Sequence, residues 1–214
     1  MFRWRSTLMT RLCVMQKDFD ELLGVIAKLD HLKSTMRDSA TLDGSKKENS
    51  AEHSWQCAIM ALLFQRFLDV PVDLEKVLTM LVIHDTGEID AGDIGLYESY
   101  DAGQQYEREL NCVRTLFANS HPELVETWKE FEEGVTVEAK YARAIDRIAG
   151  MLSSHFNERS CWSEEGMSAE QILSRNLPIK AGLPMVWPMV EGLVRQADAA
   201  GRIGTEGITN RESQ

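Results

Sequence analysis

The sequence predicts a single all-α domain, and three observations support this fold class. Apolar residues recur every three or four positions along most of the chain, which is the spacing of an amphipathic helix. Only five prolines occur among the 214 residues, so few positions interrupt a helix. We find no apolar–polar alternation long enough to indicate a β-strand. A chain of this length can also bury a sizeable core as one domain.

The first helix is predicted over about 17–36 from a stripe of apolar side chains at helical spacing. The stripe consists of Phe19, Leu22, Leu23, Ile26 and Leu29. Asp43 and Gly44 favour a turn, so residues 39–47 are predicted to form a loop.

The second helix is predicted to begin at Asn49 or Ser50, either of which can cap it, and to end near Asp69. The third, over about 73–85, is apolar on most faces, so we expect it at the centre of the core. Residues 86–104 contain several glycines and little periodicity, which predicts a long loop of the kind that usually carries function. The remaining helices are predicted over about 105–119, 121–133, 136–158 and 183–200.

Composition excludes several classes of function. The net charge is −11 and the chain has no sustained basic run, so we expect no nucleic-acid partner. No segment approaches the roughly 20 apolar residues of a membrane span. The four cysteines are far apart and form no CxxC pair, which indicates reduced thiols in a cytoplasmic protein. Residues 1–16 and 201–214 are predicted as an N-terminal extension and a C-terminal tail.

The most informative segment is 81–94, where an apolar run ends in adjacent His84 and Asp85. Three more carboxylates follow within eight residues, those of Glu88, Asp90 and Asp93. Like charges that cannot separate raise each other's pKa, so such crowding favours a bound cation. We therefore expect a divalent cation held by imidazole and carboxylate, with spare carboxylates left for acid–base work.

Further ligands must come from other parts of the chain, because neighbouring side chains cannot surround an ion. His53 lies in the first turn of the second helix. Asp146 lies among small and apolar residues of a later helix, where a carboxylate needs a partner; a surface pair with Arg143 is the simpler alternative. A mixed imidazole–carboxylate set suits Mn²⁺, Co²⁺, Fe²⁺ or Zn²⁺ better than Ca²⁺, with Mg²⁺ as a further candidate.

A His on one helix, a His-Asp doublet that ends another and a lone Asp on a later helix resemble the HD-domain metal-dependent phosphohydrolases. The segment E-N-S-A-E-H that ends at His53, the H-D-x-x-E segment over 84–88, Asp93 and Asp146 are similar to the 5′-deoxynucleotidase-like branch. In that branch the substrate is a deoxyribonucleoside monophosphate. The resemblance covers about 17–200 and implies one HD-type helical domain.

The resemblance also implies a role for each residue. Four residues would hold one divalent cation: His53, His84, Asp85 and Asp146. Glu88 matches the residue that orients or deprotonates the attacking water, and Asp93 matches a second acid beside the scissile phosphate.

An arginine grips the phosphate in this branch, and Arg37 is the nearest candidate. Asp38 and Ser39 follow it, where the branch carries an aromatic residue that senses the missing 2′-hydroxyl. Strict selectivity for deoxynucleotides therefore stays open. Lys46 or Lys47 could grip the phosphate instead.

The expected reaction is hydrolysis of the phosphomonoester of a (deoxy)nucleoside 5′-monophosphate by metal-activated water. Two alternatives stay open. One is an HD-type hydrolase of nucleoside triphosphates or signalling nucleotides, and the other is a non-catalytic metal- or nucleotide-binding module. Related domains often form homodimers, but no pattern in this sequence fixes the oligomeric state.

Overall fold

A computed structural model describes residues 2–94, 101–157, 162 and 166–204, with side chains from residue 14 onward. The predicted all-α class is confirmed, apart from one short β-hairpin. The helices with described bounds are α1 (Phe2–Leu29), α2 (Ser50–Phe64), α3 (Leu74–Ile83), α4 (Glu88–Ala91), α5 (Ala102–Phe117), α6 (Pro122–Glu133), α7 (Val137–Phe156), α8 (Ala169–Arg175), α9 (Leu177–Gly182) and α10 (Trp187–Ala199). Short 3₁₀ turns span Asp30–Lys33, Gln65–Phe67 and His84–Gly87.

Helix α1 differs from its prediction at both ends. It runs without interruption from Phe2 and ends at Leu29, where a 3₁₀ turn follows. Most of its apolar stripe faces outward, since Phe19 is 56% exposed and Ile26 is 61% exposed. Among the described side chains of α1, Val25 and Leu29 near its end pack against the domain core.

The predicted loop over 39–47 is confirmed over residues 41–46, which include the turn at Asp43 and Gly44. The sequence did not predict that this loop joins the two strands of a β-hairpin. Strand β1 (Met36–Ala40) pairs antiparallel with β2 (Lys47–Asn49), with Met36 opposite Asn49 and Ala40 opposite Lys47. Strands of five and three residues are too short for alternation to stand out in a sequence. The hairpin is anchored to the end of α7, where the Ser153 hydroxyl donates to the Ala40 carbonyl oxygen at 2.7 Å.

The predicted start of α2 is confirmed by a capping box. The Asn49 side chain accepts from the Glu52 backbone N–H at 3.0 Å, and the Glu52 carboxylate accepts from the Asn49 backbone N–H at 3.3 Å. This reciprocal pair satisfies two backbone donors that a helix start leaves without partners. The cap therefore fixes where α2 begins, and with it the position of His53 in the first turn.

Helix α3 is central, as predicted, with Val77, Met80 and Leu81 fully buried. The long loop predicted to follow it is wrong in its first part. The 3₁₀ turn continues into α4, and the Thr86 hydroxyl donates back to the Ile83 carbonyl oxygen at 2.7 Å. Residues 95–100 of that predicted loop lie outside the described part of the chain.

The main core lies where α2, α3 and α7 pack together, with α9 and α10 on its far side. The Tyr141 hydroxyl ties α7 to α2 by donating to the Ala61 carbonyl oxygen at 2.6 Å. A second cluster joins α5 and α6 to the end of α3, and there Trp128 Nε1 donates to the His84 carbonyl oxygen at 2.8 Å. Both bonds are buried, so they fix the three segments that carry the polar residues described below.

Two helices near the C-terminus, α8 and α9, were absent from the sequence prediction. A usable signal existed for α8, because Ser168 and Gln171 form a capping box at its start. Helix α9 has six residues, too few to show a helical period. Among the described residues, no helix has the length and apolarity required to cross a membrane.

Gly182 allows α9 to cross α7 at very close range. A Cβ atom at this position would collide with the Lys140 carbonyl oxygen and crowd the Ala144 side chain. We expect Gly182→Ala to lower the free energy of unfolding by about 1–3 kcal/mol, because a tightly packed backbone contact would have to open. Urea denaturation would measure this, with Gly192→Ala as the control. Gly192 lies in α10, and no neighbouring atom lies within 4 Å of the position that a Cβ would take, so the control should not destabilise the protein.

Candidate metal centre and active site

Three segments of the fold bring the four predicted ligands together. Helix α2 supplies His53, the 3₁₀ turn after α3 supplies His84 and Asp85, and α7 supplies Asp146. His53 Nε2 lies 3.0 Å from Asp146 Oδ1, and His84 Nε2 lies 3.1 Å from Asp85 Oδ1 and 3.8 Å from Asp146 Oδ1. Adjacent His84 and Asp85 can face one point because the regular helix has already ended there.

The arrangement fits a divalent cation. Two donor atoms that each lie about 2.1 Å from an ion, in directions at right angles, are about 3.0 Å apart. The two shorter Nε2–Oδ1 distances in this cluster, 3.0 and 3.1 Å, are close to that value. His84 Nδ1 donates to the Leu81 carbonyl oxygen at 2.9 Å, which leaves the lone pair of Nε2 directed at the cluster. That Nε2 atom is buried and has no hydrogen-bond partner among the described residues. An unpartnered buried nitrogen of this kind is costly, and a cation would satisfy it.

The pKa values of His84 and Asp146 are shifted in the directions that favour metal binding. Burial lowers the pKa of His84, so its imidazole is neutral and can donate a lone pair. Burial opposes ionisation of Asp146, but its hydrogen bond with His53 and the charge of nearby Arg147 outweigh this and hold its pKa well below the usual range. Both shifts therefore favour the form of the group that binds metal, a neutral imidazole and an ionised carboxylate.

Cys57 is a neighbour of the cluster that sequence reasoning did not place there. Its Sγ atom lies 3.4 Å from His53 Nε2, and donor atoms of Cys57, His53, His84 and Asp146 all lie within 4.8 Å of one another. The signal was present, because Cys57 follows His53 by four residues and so shares its helix face. Burial raises the pKa of the thiol, and a protonated thiol is a poor metal ligand.

Three carboxylates surround Arg37, and one of them belongs to Asp85, which is also a predicted metal ligand. Arg37 Nη1 lies 2.8 Å from Asp85 Oδ2, 3.6 Å from Glu88 Oε1 and 3.5 Å from Asp93 Oδ1. Burial alone would lower the pKa of Arg37, but these three carboxylates raise it above its ordinary value. Asp85 joins the two halves of the site, since its Oδ1 faces the histidines and its Oδ2 accepts from Arg37.

Glu88 is held by a hydroxyl that sequence reasoning treated only as a possible helix cap. The Ser50 hydroxyl donates to Glu88 Oε2 at 2.6 Å. Burial raises the pKa of Glu88 well above its ordinary value, and the charge of Asp85 adds to this. Burial also raises the pKa of Asp93, although Arg37 partly offsets it. Raised pKa values of this kind are typical of carboxyl groups that take part in acid–base catalysis.

Lys46 and Lys47 form ion pairs at the surface. Lys46 pairs with Glu52, and Lys47 Nζ lies 2.9 Å from Asp38 Oδ1. Their side chains are 55% and 60% exposed, against 16% for Arg37. Of the three cations considered from the sequence, the fold brings Arg37 into the cluster.

Glu48 is the first residue of the E-N-S-A-E-H segment, but no role was predicted for it from the sequence. It precedes the cap of α2, is 5% exposed, and its Oε2 lies 3.4 Å from His53 Nδ1. Its burial depends on the β-hairpin, so the segment alone could not predict that this carboxylate lies behind His53.

Comparison with known proteins matches the family described as HD domain over residues 29–187. The chain is 23% identical over 141 residues to 5′-deoxynucleotidase HDDC2 of Danio rerio, covering 64% of this chain and 69% of that protein. It is 26% identical over 149 residues to 5′-deoxynucleotidase hdd1 of Schizosaccharomyces pombe, covering 65% and 74% respectively. A solved structure of a predicted metal-dependent phosphohydrolase from Magnetospirillum magnetotacticum is similar with a TM-score of 0.80 and 30% identity, over 87% of this chain and 95% of that chain.

Proposed function

This chain belongs to the HD-domain family and is a metal-dependent phosphohydrolase, and we propose that it releases phosphate from a (deoxy)nucleoside 5′-monophosphate. One observation carries the proposal: the two oxygens of Asp85 face different groups. On one side lie the imidazole and carboxylate donors that suit a cation, and on the other lie Arg37 and two further acids. A phosphate bound across Asp85 would therefore reach a cation, an arginine and a base at once.

We assign the cation to His53, His84, Asp85 and Asp146. Two imidazole nitrogens and two carboxylates suit Mn²⁺, Co²⁺, Fe²⁺ or Zn²⁺, with Mg²⁺ as a further candidate. When bound, such an ion polarises a phosphoryl oxygen and lowers the pKa of coordinated water. The site is proposed to hold a single ion.

The protein's own groups would do the rest. Arg37 would bind phosphate oxygens and neutralise charge that develops on them during transfer. Glu88, oriented by Ser50, would accept the proton of the attacking water at a carboxylate oxygen. Asp93 lies beside Arg37 and would hold a proton close to the leaving oxygen. Phosphoryl transfer depends mainly on positioning and charge, so these groups suffice.

The nucleotide assignment is supported by the two relatives named 5′-deoxynucleotidase. In this chain the residue after Arg37 is Asp38, whose side chain is 66% exposed and pairs with Lys47 on the outer side of β1. Successive strand residues face opposite sides, so the Asp38 side chain lies on the face of β1 opposite to Arg37. We therefore propose weak discrimination between ribose and deoxyribose monophosphates.

A phosphate-release screen tests the proposal. Purified protein would be assayed with nucleoside mono- and triphosphates in the presence of Mn²⁺, Co²⁺, Mg²⁺ or EDTA, together with elemental analysis of its metal content. We expect metal-dependent release of inorganic phosphate from monophosphates. Pyrophosphate or tripolyphosphate as product would instead favour the triphosphate alternative. Stoichiometric metal without any turnover would favour the binding module, although a binding module has no need of Glu88 and Asp93.

Arg37 and the two lysines give different predictions for phosphate binding. We expect Arg37→Ala to lower kcat/KM by about 10²–10³-fold, mainly through loss of charge stabilisation in the transition state. Lys46→Ala and Lys47→Ala should change kcat/KM less than about threefold, because both side chains pair at the surface. Steady-state kinetics on a nucleoside monophosphate would measure all three. A larger loss in either lysine variant than in the arginine variant would reassign the phosphate contact.

A further inference from the structure

Glu48 is a buried carboxylate on the side of His53 that faces away from the proposed cation site. It is the middle residue of β2, two residues before α2 begins, and is 5% exposed. Its Oε2 atom accepts from the Ser39 hydroxyl at 3.2 Å and lies 3.4 Å from His53 Nδ1. A carboxylate is costly to bury without polar partners, and the reaction described above makes no use of this one.

We propose that Glu48 is the positioning residue for His53, accepting from its Nδ1–H so that the Nε2 lone pair faces the cation. This inference rests on the proposed metal centre. The imidazole ring lies between Glu48 on its Nδ1 side and the ligand cluster on its Nε2 side, where the hydrogen bond to Asp146 Oδ1 at 3.0 Å would give way to the cation. The partner of one ring nitrogen fixes which nitrogen carries the proton, and this leaves the other free to bind metal.

The two histidines are held by different means. His84 Nδ1 donates to a backbone carbonyl oxygen, that of Leu81, which no side-chain substitution removes. His53 Nδ1 faces a side chain, so its orientation can be tested by mutation. That side chain is itself oriented by Ser39 of β1. The hairpin therefore supplies Arg37 to the phosphate side and Glu48 to the metal side of the same site.

Metal affinity provides the first test. We expect Glu48→Ala to weaken Co²⁺ binding by about 10–100-fold, as loss of a partner behind a ligating histidine generally does. Glu48→Gln should lie between this variant and the wild type, because an amide oxygen still accepts but carries no charge. Glu52→Gln is the matched control. This substitution also replaces a glutamate by glutamine, at the position directly before His53, and the new side chain can still complete the capping box. The control variant should therefore bind Co²⁺ as the wild type does.

The imidazole itself provides the second test. In Zn²⁺-loaded protein, ¹H–¹⁵N NMR should show a slowly exchanging Nδ1–H proton of His53 in the wild type and in Glu52→Gln. That signal should shift upfield in Glu48→Gln and exchange with water in Glu48→Ala. A loss of stability without loss of the hydrogen bond would not produce this pattern.

The outcomes separate this inference from the proposed function. A wild-type protein that binds no divalent cation would overturn the metal centre itself. Glu48→Ala with wild-type Co²⁺ affinity and an unchanged Nδ1–H signal would overturn the role of Glu48 alone. If Glu48→Ala does not fold, Glu48→Gln decides: an affinity equal to that of Glu52→Gln would overturn the inference.

Discussion

Asp85→Ala is expected to abolish both metal content and phosphate release. Each oxygen of this carboxylate has a separate task, since Oδ1 faces His84 Nε2 at 3.1 Å and Oδ2 accepts from Arg37 at 2.8 Å. The substitution would remove a metal ligand and free the arginine in one step. A metal supplies several kcal/mol of transition-state stabilisation, so the rate should fall by about 10³-fold or more. Elemental analysis and the phosphate-release assay would measure the two losses.

Asp90→Ala is the matched control for that variant. Asp90 belongs to the same acidic segment, but its side chain is 53% exposed and pairs with Lys28 on α1. We expect the control to keep its metal and to retain activity within about twofold, because exposed ion pairs contribute little. Metal and turnover that survive in Asp85→Ala would disprove the assigned site.

Glu88→Gln is expected to keep the metal and lose rate. The amide has the shape of the carboxylate and its oxygen can still accept from Ser50, so the local structure should be retained. It cannot take a proton from water, and loss of a general base typically costs about 10²–10⁴-fold in kcat. Metal analysis beside steady-state kinetics would separate the two effects.

Asp93→Asn is the comparison for the Glu88 variant. Both acids lie beside Arg37, and both have a raised pKa. If Asp93→Asn lost more kcat than Glu88→Gln, Asp93 would be reassigned as the general base and Glu88 as the acid beside the leaving oxygen. Loss of metal from Glu88→Gln would make Glu88 a ligand and contradict its assignment as the base.

The helices with strong local signals could be predicted from sequence. The Asn49–Glu52 capping box marks the start of α2, and the apolar residues on most faces of α3 place it in the core. The hairpin could not be predicted, because its stability comes from pairing and from the contact with Ser153, far away in sequence. The end of α1 was missed for the same reason, since the chain leaves the helix to form β1.

The candidate site shows the same division. His53, His84, Asp85 and Asp146 each stand out in their own segment, by an unusual doublet or by a polar residue among apolar ones. Their mutual distances and the choice of Arg37 over the two lysines depend on tertiary structure. The roles of Glu48 and Ser50 were missed because their partners lie on other elements, whereas Cys57 could have been found from its four-residue spacing to His53.

Helix α7 carries both Asp146 and the residue that anchors the hairpin, Ser153. These positions are seven residues apart, so about two helical turns and about 10.5 Å of rise separate the metal ligand from the anchor. The distance between Asp146 and Ser153 is thus set by the number of helical residues between them and does not depend on side-chain packing. One extra residue inserted between them would turn the anchor by about 100° and move it by about 1.5 Å. Arg37 and Glu48 would then lose their register with the cation site even if every helix remained intact.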